Sequence, residues 1–315
     1  MTPPLLALAG RTRTGRWGWH VRDLARAAAR LNLRFEPVEF QRLRATIAPL
    51  GRPGRVEADG WELTGPEVAG VLVRAMPSSS LERIVFRMDA LRRVEAAGTP
   101  ILNPPRAIET AVDKYLTLVR LEAAGLPTPE TWVGETSREA LDAFDRLGGE
   151  VVVKPLFGSE GRGLIRVGQR ELARRTFAAI EATQGLLYLQ RFVAGPGWDV
   201  RVFVLDARVV GAIRRFPASH DWRANVSTGG TAEPFHVDAE TERLAIRATE
   251  AVGARLAGVD LLPLGGIPHG WVIPEVNAAP GWRALGACLR LDVAAFILET
   301  LRETPRLAPQ QAPTP

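Results

Sequence analysis

The hydrophobic period of this chain changes partway along, and that change restricts the fold more than any single motif. Over the first hundred residues, short apolar runs alternate with segments whose apolar residues recur every three or four positions. Residues 5–9 read as a buried strand ending in a Gly/Arg loop at 10–18. Residues 21–31 have helical spacing, with Val21, Leu24, Ala25, Ala28 and Leu31 on one face. Residues 34–40 look extended, 51–66 form a loop or small hairpin, and 68–73 are a short β-branched run. Ser80 precedes an amphipathic helix over 81–97, which Gly98 ends. Strands alternating with helices imply a parallel sheet covered on both faces, with ligands beyond the C-terminal strand ends.

Past Asn103-Pro104-Pro105 the pattern becomes mixed. A helix over 113–124 stops at Gly125, a strand covers 131–133, and Ser137 is placed to cap a helix over 138–147. Strands at 151–154 and 164–167 flank a Gly-rich loop, and a helix follows at 170–183. From residue 186 antiparallel strands dominate: 186–193, 200–205 and 208–214, the last two joined by a tight Asp206-Ala207 turn. A helix at 240–256 precedes strands at 258–264 and 270–276, and a helix at 291–302 closes the fold. The expected class is α/β (α+β), divided as 1–104, 105–188 and 189–304, with a disordered Pro/Gln/Ala-rich tail at 305–315.

Composition removes several functional classes. At 46% hydrophobic and 24% charged, the chain is neither disordered nor fibrous. No apolar run approaches the roughly 20 residues needed to span a bilayer. Residues 1–10 read as a first strand rather than a signal peptide. The one cysteine, Cys288, excludes a disulfide framework and fits a reducing cytoplasm. Four scattered histidines argue against a zinc site. The net charge of +5 comes without a basic block, so it suits an anionic small molecule at least as well as nucleic acid. Of the 40 basic residues only Lys114 and Lys154 are lysine. In so arginine-rich a chain, positions that keep lysine are candidates for a compact ammonium against phosphate oxygens.

Three constellations could carry chemistry. Lys154 ends an apolar strand, and the loop Phe157-Gly158-Ser159-Glu160-Gly161-Arg162-Gly163 follows. Its glycines let backbone N–H groups approach an anion. The loop joins two strands, unlike Rossmann or Walker-type turns, and taken alone it could equally be a surface hairpin with a solvated lysine. Asp260 lies within an apolar strand, and Glu275 and Asn277 share one face of another. Three such oxygen donors would suit Mg²⁺ or Mn²⁺ held jointly with phosphates; the alternative is a set of satisfied buried polar residues. Asp199 and Arg201 also share a strand face, followed by Arg214-Arg215 and Arg223-Ala224-Asn225. These arginines suit a triphosphate or an acidic substrate, or else ordinary ion pairing.

Taken in order, these pieces resemble the ATP-grasp superfamily and, within it, the RimK-type α-L-glutamate ligases. The resemblance spans residues 103–303 and includes Val112-Asp113-Lys114, Leu126-Pro127-Thr128-Pro129, Leu189-Gln190-Arg191-Phe192, Gly258-Val259-Asp260 and Glu275-Val276-Asn277-Ala278-Ala279-Pro280-Gly281. It implies an N-terminal pre-ATP-grasp domain followed by two α+β subdomains that clamp ATP. By the same resemblance Lys114 and Lys154 contact ATP phosphates. Gly158, Ser159, Glu160, Gly161 and Gly163 close over them, and Gln190, Arg191, Phe192 and Val193 form the adenine hinge. Asp199 holds the ribose, with Arg201 beside it. Arg223 and Asn225 lie near the γ-phosphate, and Arg215 lies where relatives bind the acidic substrate. Asp260, Glu275 and Asn277 hold two divalent ions. Arg191 stands where the hinge usually has an acid, and Ala224 replaces a common Ser.

The implied reaction is ATP-dependent amide formation through an acyl phosphate, with L-glutamate as the amine. The N-terminal segments Arg11-Thr12-Arg13-Thr14-Gly15-Arg16-Trp17-Gly18-Trp19 and Arg74-Ala75-Met76-Pro77-Ser78-Ser79-Ser80-Leu81-Glu82 are candidates for the acceptor side. The second, with Phe86-Arg87-Met88-Asp89 and Asn103-Pro104-Pro105, is similar to the branch that glutamylates tetrahydromethanopterin. Other family acceptors are a ribosomal protein C-terminus, N-acetylaspartate, citrate and coenzyme F420, and another amino acid could serve as the amine. Relatives assemble as dimers or tetramers, without nucleic acid or membrane. The non-enzyme alternatives are a nucleotide-binding interaction protein and a nucleic-acid binder using its surplus of arginine.

Overall fold

The computed structural model describes residues 2–49, 54–158, 161–218, 222–223, 229–265 and 270–308. Its first strand, Leu5–Ala9 (β1), is buried at every position, because it runs inside a sheet covered on both sides. After it come helix Trp19–Arg30 (α1), strand Phe35–Glu39 (β2), strands Arg44–Thr46, Arg55–Ala58 and Trp61–Glu62 (β3–β5), and strand Gly70–Val73 (β6). Helix Leu81–Ala96 (α2) and strand Ile101–Leu102 (β7) complete this part. The sheet has the order β2-β1-β6-β7 and is parallel throughout. Leu6 and Leu8 pack with Met88, Leu91 and Val94 of α2, while Leu5 and Ala7 pack with Leu24 and Ala28 of α1. The loop or small hairpin expected at 51–66 contains β4 and β5, which pair antiparallel and join β3 in a three-stranded sheet.

The helix expected at 113–124 is Lys114–Ala123 (α4), and an unexpected helix, Pro105–Val112 (α3), precedes it. Pro105 is tolerated at the first helical position because its missing N–H would be unpaired there. Asp113, extended at φ −84° and ψ 103°, ends one helix, and its carboxylate accepts the Leu116 N–H that starts the next. Lys114 is therefore the first helical residue. Strand Thr131–Gly134 (β8) precedes helix Ser137–Arg146 (α5). The residue at the cap is Thr136; Ser137 lies inside the helix and its hydroxyl donates to Glu181. Strands Val151–Lys154 (β9) and Ile165–Val167 (β10), helix Arg170–Ala182 (α6) and strand Leu187–Arg191 (β11) follow, giving an antiparallel sheet β10-β9-β11-β8. α5 and α6 close one face of it through Phe144 and Phe177.

A second antiparallel sheet, β14-β13-β12-β15-β16, uses Asp199–Leu205 (β12), Arg208–Phe216 (β13), Thr231–Pro234 (β14), Leu256–Pro263 (β15) and Trp271–Asn277 (β16). Helix Ala239–Ala251 (α7) covers its apolar face, where Val200, Val202, Val259, Leu261 and Val276 lie. The expected helix at 240–256 overran. Gly253 turns the chain at φ 72°, and Leu256 already pairs with Leu205. Helix Arg283–Leu289 (α8) and strand β14 were not expected; helix Val293–Glu303 (α9) was, and it packs back on α1. Part of the expected disordered tail is seated: Arg306 reaches the carbonyls of Val68 and Thr64, and the Leu307 N–H donates to Gly98. Residues 309–315 lie outside the described residues. Among the described residues no helix is long and apolar enough to cross a membrane.

Candidate functional site

A solvent-open cleft lies between the sheet β10-β9-β11-β8 and the sheet β14-β13-β12-β15-β16. Lys154, at the end of β9, reaches into it, and its ammonium donates to Gln190 Oε1 at 2.5 Å. Burial lowers that ammonium to about 8, a shift that Lys114 adds to and Glu275 opposes. Lys114 opens α4 on the other wall and donates to the Gly158 carbonyl at 2.8 Å. Burial lowers its pKa as well, against Glu275 and Asp113. Neither lysine forms an ion pair among the described residues, so both charges face the cleft with neutral hydrogen-bond partners.

The Gly-rich loop is built as a turn only glycine makes without strain. Gly158, Gly161 and Gly163 have φ of 155°, 70° and 75°. A Cβ at Gly158 or Gly163 would also meet the Pro155 ring at 3.3 or 3.4 Å. Lys114 holds the Gly158 carbonyl, and Arg223 holds the Gly161 carbonyl at 2.8 Å. Ser159, Glu160 and Asn225 lie outside the described residues.

The polar face of the second sheet carries a ladder of alternating charge. Cross-strand register sets Arg215 opposite Asp199, Arg201 opposite Asp260, Asp260 opposite Glu275, and Gly258 opposite Asn277. All of these side chains therefore emerge on one face. Arg201 binds Asp260 in a fork of two 2.7 Å bonds. Arg215 binds Asp199 at 2.6 and 2.8 Å and touches Asp260 at 3.0 Å. Burial works against the ionised Asp260, but the two guanidiniums outweigh it and draw the carboxyl down to about 2. Arg215, expected against an acidic substrate, instead gives its guanidinium to two carboxylates and is 3% exposed. Asp199, expected at a ribose, has both oxygens on Arg215.

Glu275 is different. It makes no hydrogen bond or ion pair with any described residue, and it lines the cleft together with Pro274. A bulge in β16 between the Asp260–Glu275 and Leu262–Val272 pairs brings both residues to the cleft, and proline suits it because it has no N–H to place. Asn277 Oδ1 accepts the Ala279 N–H at 3.2 Å and keeps a second lone pair. Among the described residues no three His, Cys, Asp or Glu side chains gather. One unpartnered carboxylate, one amide oxygen and the remaining lone pair of Asp260 nonetheless fit a hard cation that takes its other ligands from phosphate.

At the hinge, the N–H groups of Arg191 and Phe192 donate to the carbonyls of Glu130 and Glu150. Val193 lines the cleft just beyond them. The Arg191 side chain turns to the Leu147 carbonyl at 3.0 Å and to Glu130. The sequence reading missed Trp198, which lines the cleft, and gave no role to Trp222, whose ring meets Phe192 edge-on at 6.2 Å. It gave none to Asn103 either, beyond a boundary and a family motif; its buried amide sutures β15 to the end of β16. A lone aromatic beside Arg223 or Asp199, or an Asn before two prolines, has no periodicity that would reveal these roles.

Residues 111–301 match the RimK-like ATP-grasp domain. A tetrahydromethanopterin:alpha-L-glutamate ligase of Methanosarcina acetivorans is 30% identical over 90% of this chain and 95% of its own length. The same-named ligase of Methanocaldococcus jannaschii is 36% identical over 69% of this chain and 74% of its own. Among solved structures, the ATP-grasp ligase PsnB complexed with minimal precursor, Mg and ADP superposes with a TM-score of 0.71 at 20% identity, covering 94% of this chain and 96% of that one.

Proposed function

The chain belongs to the RimK-like ATP-grasp family, whose domain fills residues 111–301, and we propose that it joins L-glutamate to a carboxylate acceptor of the tetrahydromethanopterin class. It is an ATP-dependent ligase that forms C–N bonds. The observation that supports the nucleotide half of this reading is the gathering, in one cleft, of both lysines, the Gly-rich loop and Glu275, which has no partner among the described residues; glutamate and the acceptor class are taken from the relatives' names. A carboxylate is a poor electrophile, so the γ-phosphoryl of ATP is first moved to it. The ammoniums of Lys114 and Lys154 offset charge on the phosphates, and the N–H groups of the 158–163 loop cover them. Glu275 and Asn277, with Asp260, would hold magnesium, which supplies further charge neutralisation on the phosphates when bound. Arg201 and Arg215 act one step removed, by fixing the Asp260 and Asp199 carboxylates. The glutamate amine then attacks the acyl phosphate and expels phosphate, leaving an amide. No side chain need become covalently bonded, and the cleft's work is positioning and exclusion of water.

The test is ADP release with magnesium, ATP, labelled glutamate and a panel of pterin, dipeptide and small-acid acceptors, with products read by mass spectrometry. A glutamyl adduct on one acceptor, lost in Glu275→Gln without loss of fold, is expected. Failure of every acceptor to release ADP, or full turnover in Glu275→Gln, would refute the reading.

A further inference from the structure

We propose that the C-terminal edge of the parallel sheet carries a separate anion subsite, in which Arg74 and Arg283 flank Trp19, His20 and Trp282 and receive a second negative group of the acceptor. Arg74 follows β6, His20 lies in the first turn of α1, and Arg283 opens α8. The five side chains form one continuous row. The Arg74 guanidinium carbon stands 4.9 Å from the Trp282 ring centre. The Trp282 and His20 rings meet edge-on at 4.6 Å, and His20 and Trp19 at 5.1 Å. Arg283 closes the row 5.6 Å from the Trp19 ring centre.

What marks this row as unfinished is its charge. Among the described residues neither Arg74 nor Arg283 has an ion pair. Arg74 gives Nη1 to the Ala279 carbonyl at 2.8 Å, while its Nε is buried with no acceptor. A buried donor without an acceptor is costly, and more so on a charged group. Asp23, one turn further along α1, does not compensate: it accepts from Trp282 Nε1 at 2.9 Å and pairs with Arg26 at 3.0 Å. His20 accepts the Trp282 N–H, so it stands neutral. Burial, then Arg74 and Arg283, hold its pKa near 3, so both guanidiniums act on the same ring. The buried Arg215 meets two carboxylates, whereas the buried Arg87 meets the Pro77 carbonyl and the Phe40 ring. On this row the Arg74 Nε has neither carboxylate nor carbonyl, and an anion from outside would complete it. The Ala279 carbonyl held by Arg74 lies two residues past Asn277, so the row stands at the end of β16, the strand that carries Glu275. An acceptor with one carboxylate at the nucleotide and a second anionic group on this row would span both. Only the identity of that ligand rests on the ligase reading.

The test is calorimetric titration of the full chain, free of nucleotide, with tricarballylate and with butyrate. Tricarballylate should bind at least about tenfold more tightly than butyrate, and the exposed-site variant Arg283→Gln should weaken it by about tenfold or more. Arg74→Lys, which keeps the charge but loses the fork, should weaken it too. A parallel titration with magnesium and a non-hydrolysable ATP analogue should give the same affinity in wild type and Arg283→Gln. Equal tricarballylate affinity in wild type and Arg283→Gln, no tricarballylate binding, or its displacement by the ATP analogue would each overturn the subsite. Failure of the analogue to bind wild type would instead overturn the ligase reading, leaving the subsite to be judged by tricarballylate alone.

Discussion

Asn103→Ala should be among the most damaging single changes in this chain, although the residue touches no part of the cleft. Its side chain is 1% exposed and makes four hydrogen bonds. Nδ2 donates to the carbonyls of Leu256 at 2.7 Å and Ala278 at 2.6 Å. Oδ1 accepts the N–H groups of Arg255 and Leu256, both at 2.8 Å. Alanine leaves all four backbone groups without this partner. At about 1 kcal/mol for each group, the low end for buried unsatisfied groups, the loss is about 4 kcal/mol. A water entering the vacated space would recover part of it, so about 3 kcal/mol is the expected net cost. Asn103→Asp should be no better. It keeps the two acceptor bonds but turns a carboxylate oxygen towards two carbonyls.

Equilibrium urea unfolding would measure the loss, and amide exchange would localise it to Arg255 and Leu256. The same variant should weaken binding of the magnesium–nucleotide analogue, since Leu256 begins the strand that bears Asp260, and Ala278 follows Asn277. A loss below about 1 kcal/mol with unchanged exchange at both amides would refute the reasoning.

Further outcomes follow from local chemistry at three residues. Because burial lowers the Lys154 ammonium to about 8, nucleotide affinity should hold at neutral pH and fall as pH rises through that value, a step that Lys154→Met removes; a flat calorimetric profile into the alkaline range would contradict it. Folded-state stability runs the opposite way for this group: its proton is held more weakly folded than unfolded, so stability rises between about 8 and the ordinary 10.5. His20 has its pKa near 3 when folded, against an ordinary 6.5, so its contribution is complete above 6.5 and is lost as pH falls towards 3. His20→Gln, which can still accept the Trp282 N–H, should flatten that acid limb in urea unfolding; an unchanged limb would count against it. Ala207 sits at φ 55° in the turn between β12 and β13, so Ala207→Gly should stabilise by about 0.5–1 kcal/mol, and a loss of stability would overturn the strain argument.

The parts of this fold that are legible in sequence are those with a period. Leu5–Ala9 and the helix at Leu81–Ala96 announce themselves through burial that repeats every residue or every turn. The break at Asp113 does not, because the residue that ends α3 is also a good cap for α4, and the apolar pattern continues across it. Helix α8 is too short for a period, and the overrun of α7 ended at a glycine whose positive φ no pattern reveals. The site divides in the same way. Glu275 and Asn277 share a face by the arithmetic of a strand, but which face Asp260 shares depends on register across β15 and β16, bulge included. That Arg201 and Arg215 occupy the carboxylates is a matter of cross-strand neighbours, which no local window contains.

The cleft holds two kinds of cation, and their partners explain why an arginine-dominated chain keeps lysine at two places. Arg201 and Arg215 meet carboxylates through paired bonds, the geometry that a planar, permanently charged fork suits best. Lys114 and Lys154 meet a carbonyl and an amide oxygen, which cannot neutralise them. A guanidinium in either place would carry its full charge into a desolvated wall with no anion to bind. An ammonium lets its pKa fall instead and regains a firm proton when a phosphate arrives. Its bonds to Gly158 and Gln190 are neutral-acceptor bonds, weaker than those a phosphate oxygen would offer, so nucleotide can displace them. On the proposed function, exchange at Lys114 would free the Gly158 carbonyl as the phosphates arrive. Arg74 stands outside this division, with Nη1 on a carbonyl and Nε buried without an acceptor. In the subsite proposed above, an anion from outside the chain completes that guanidinium.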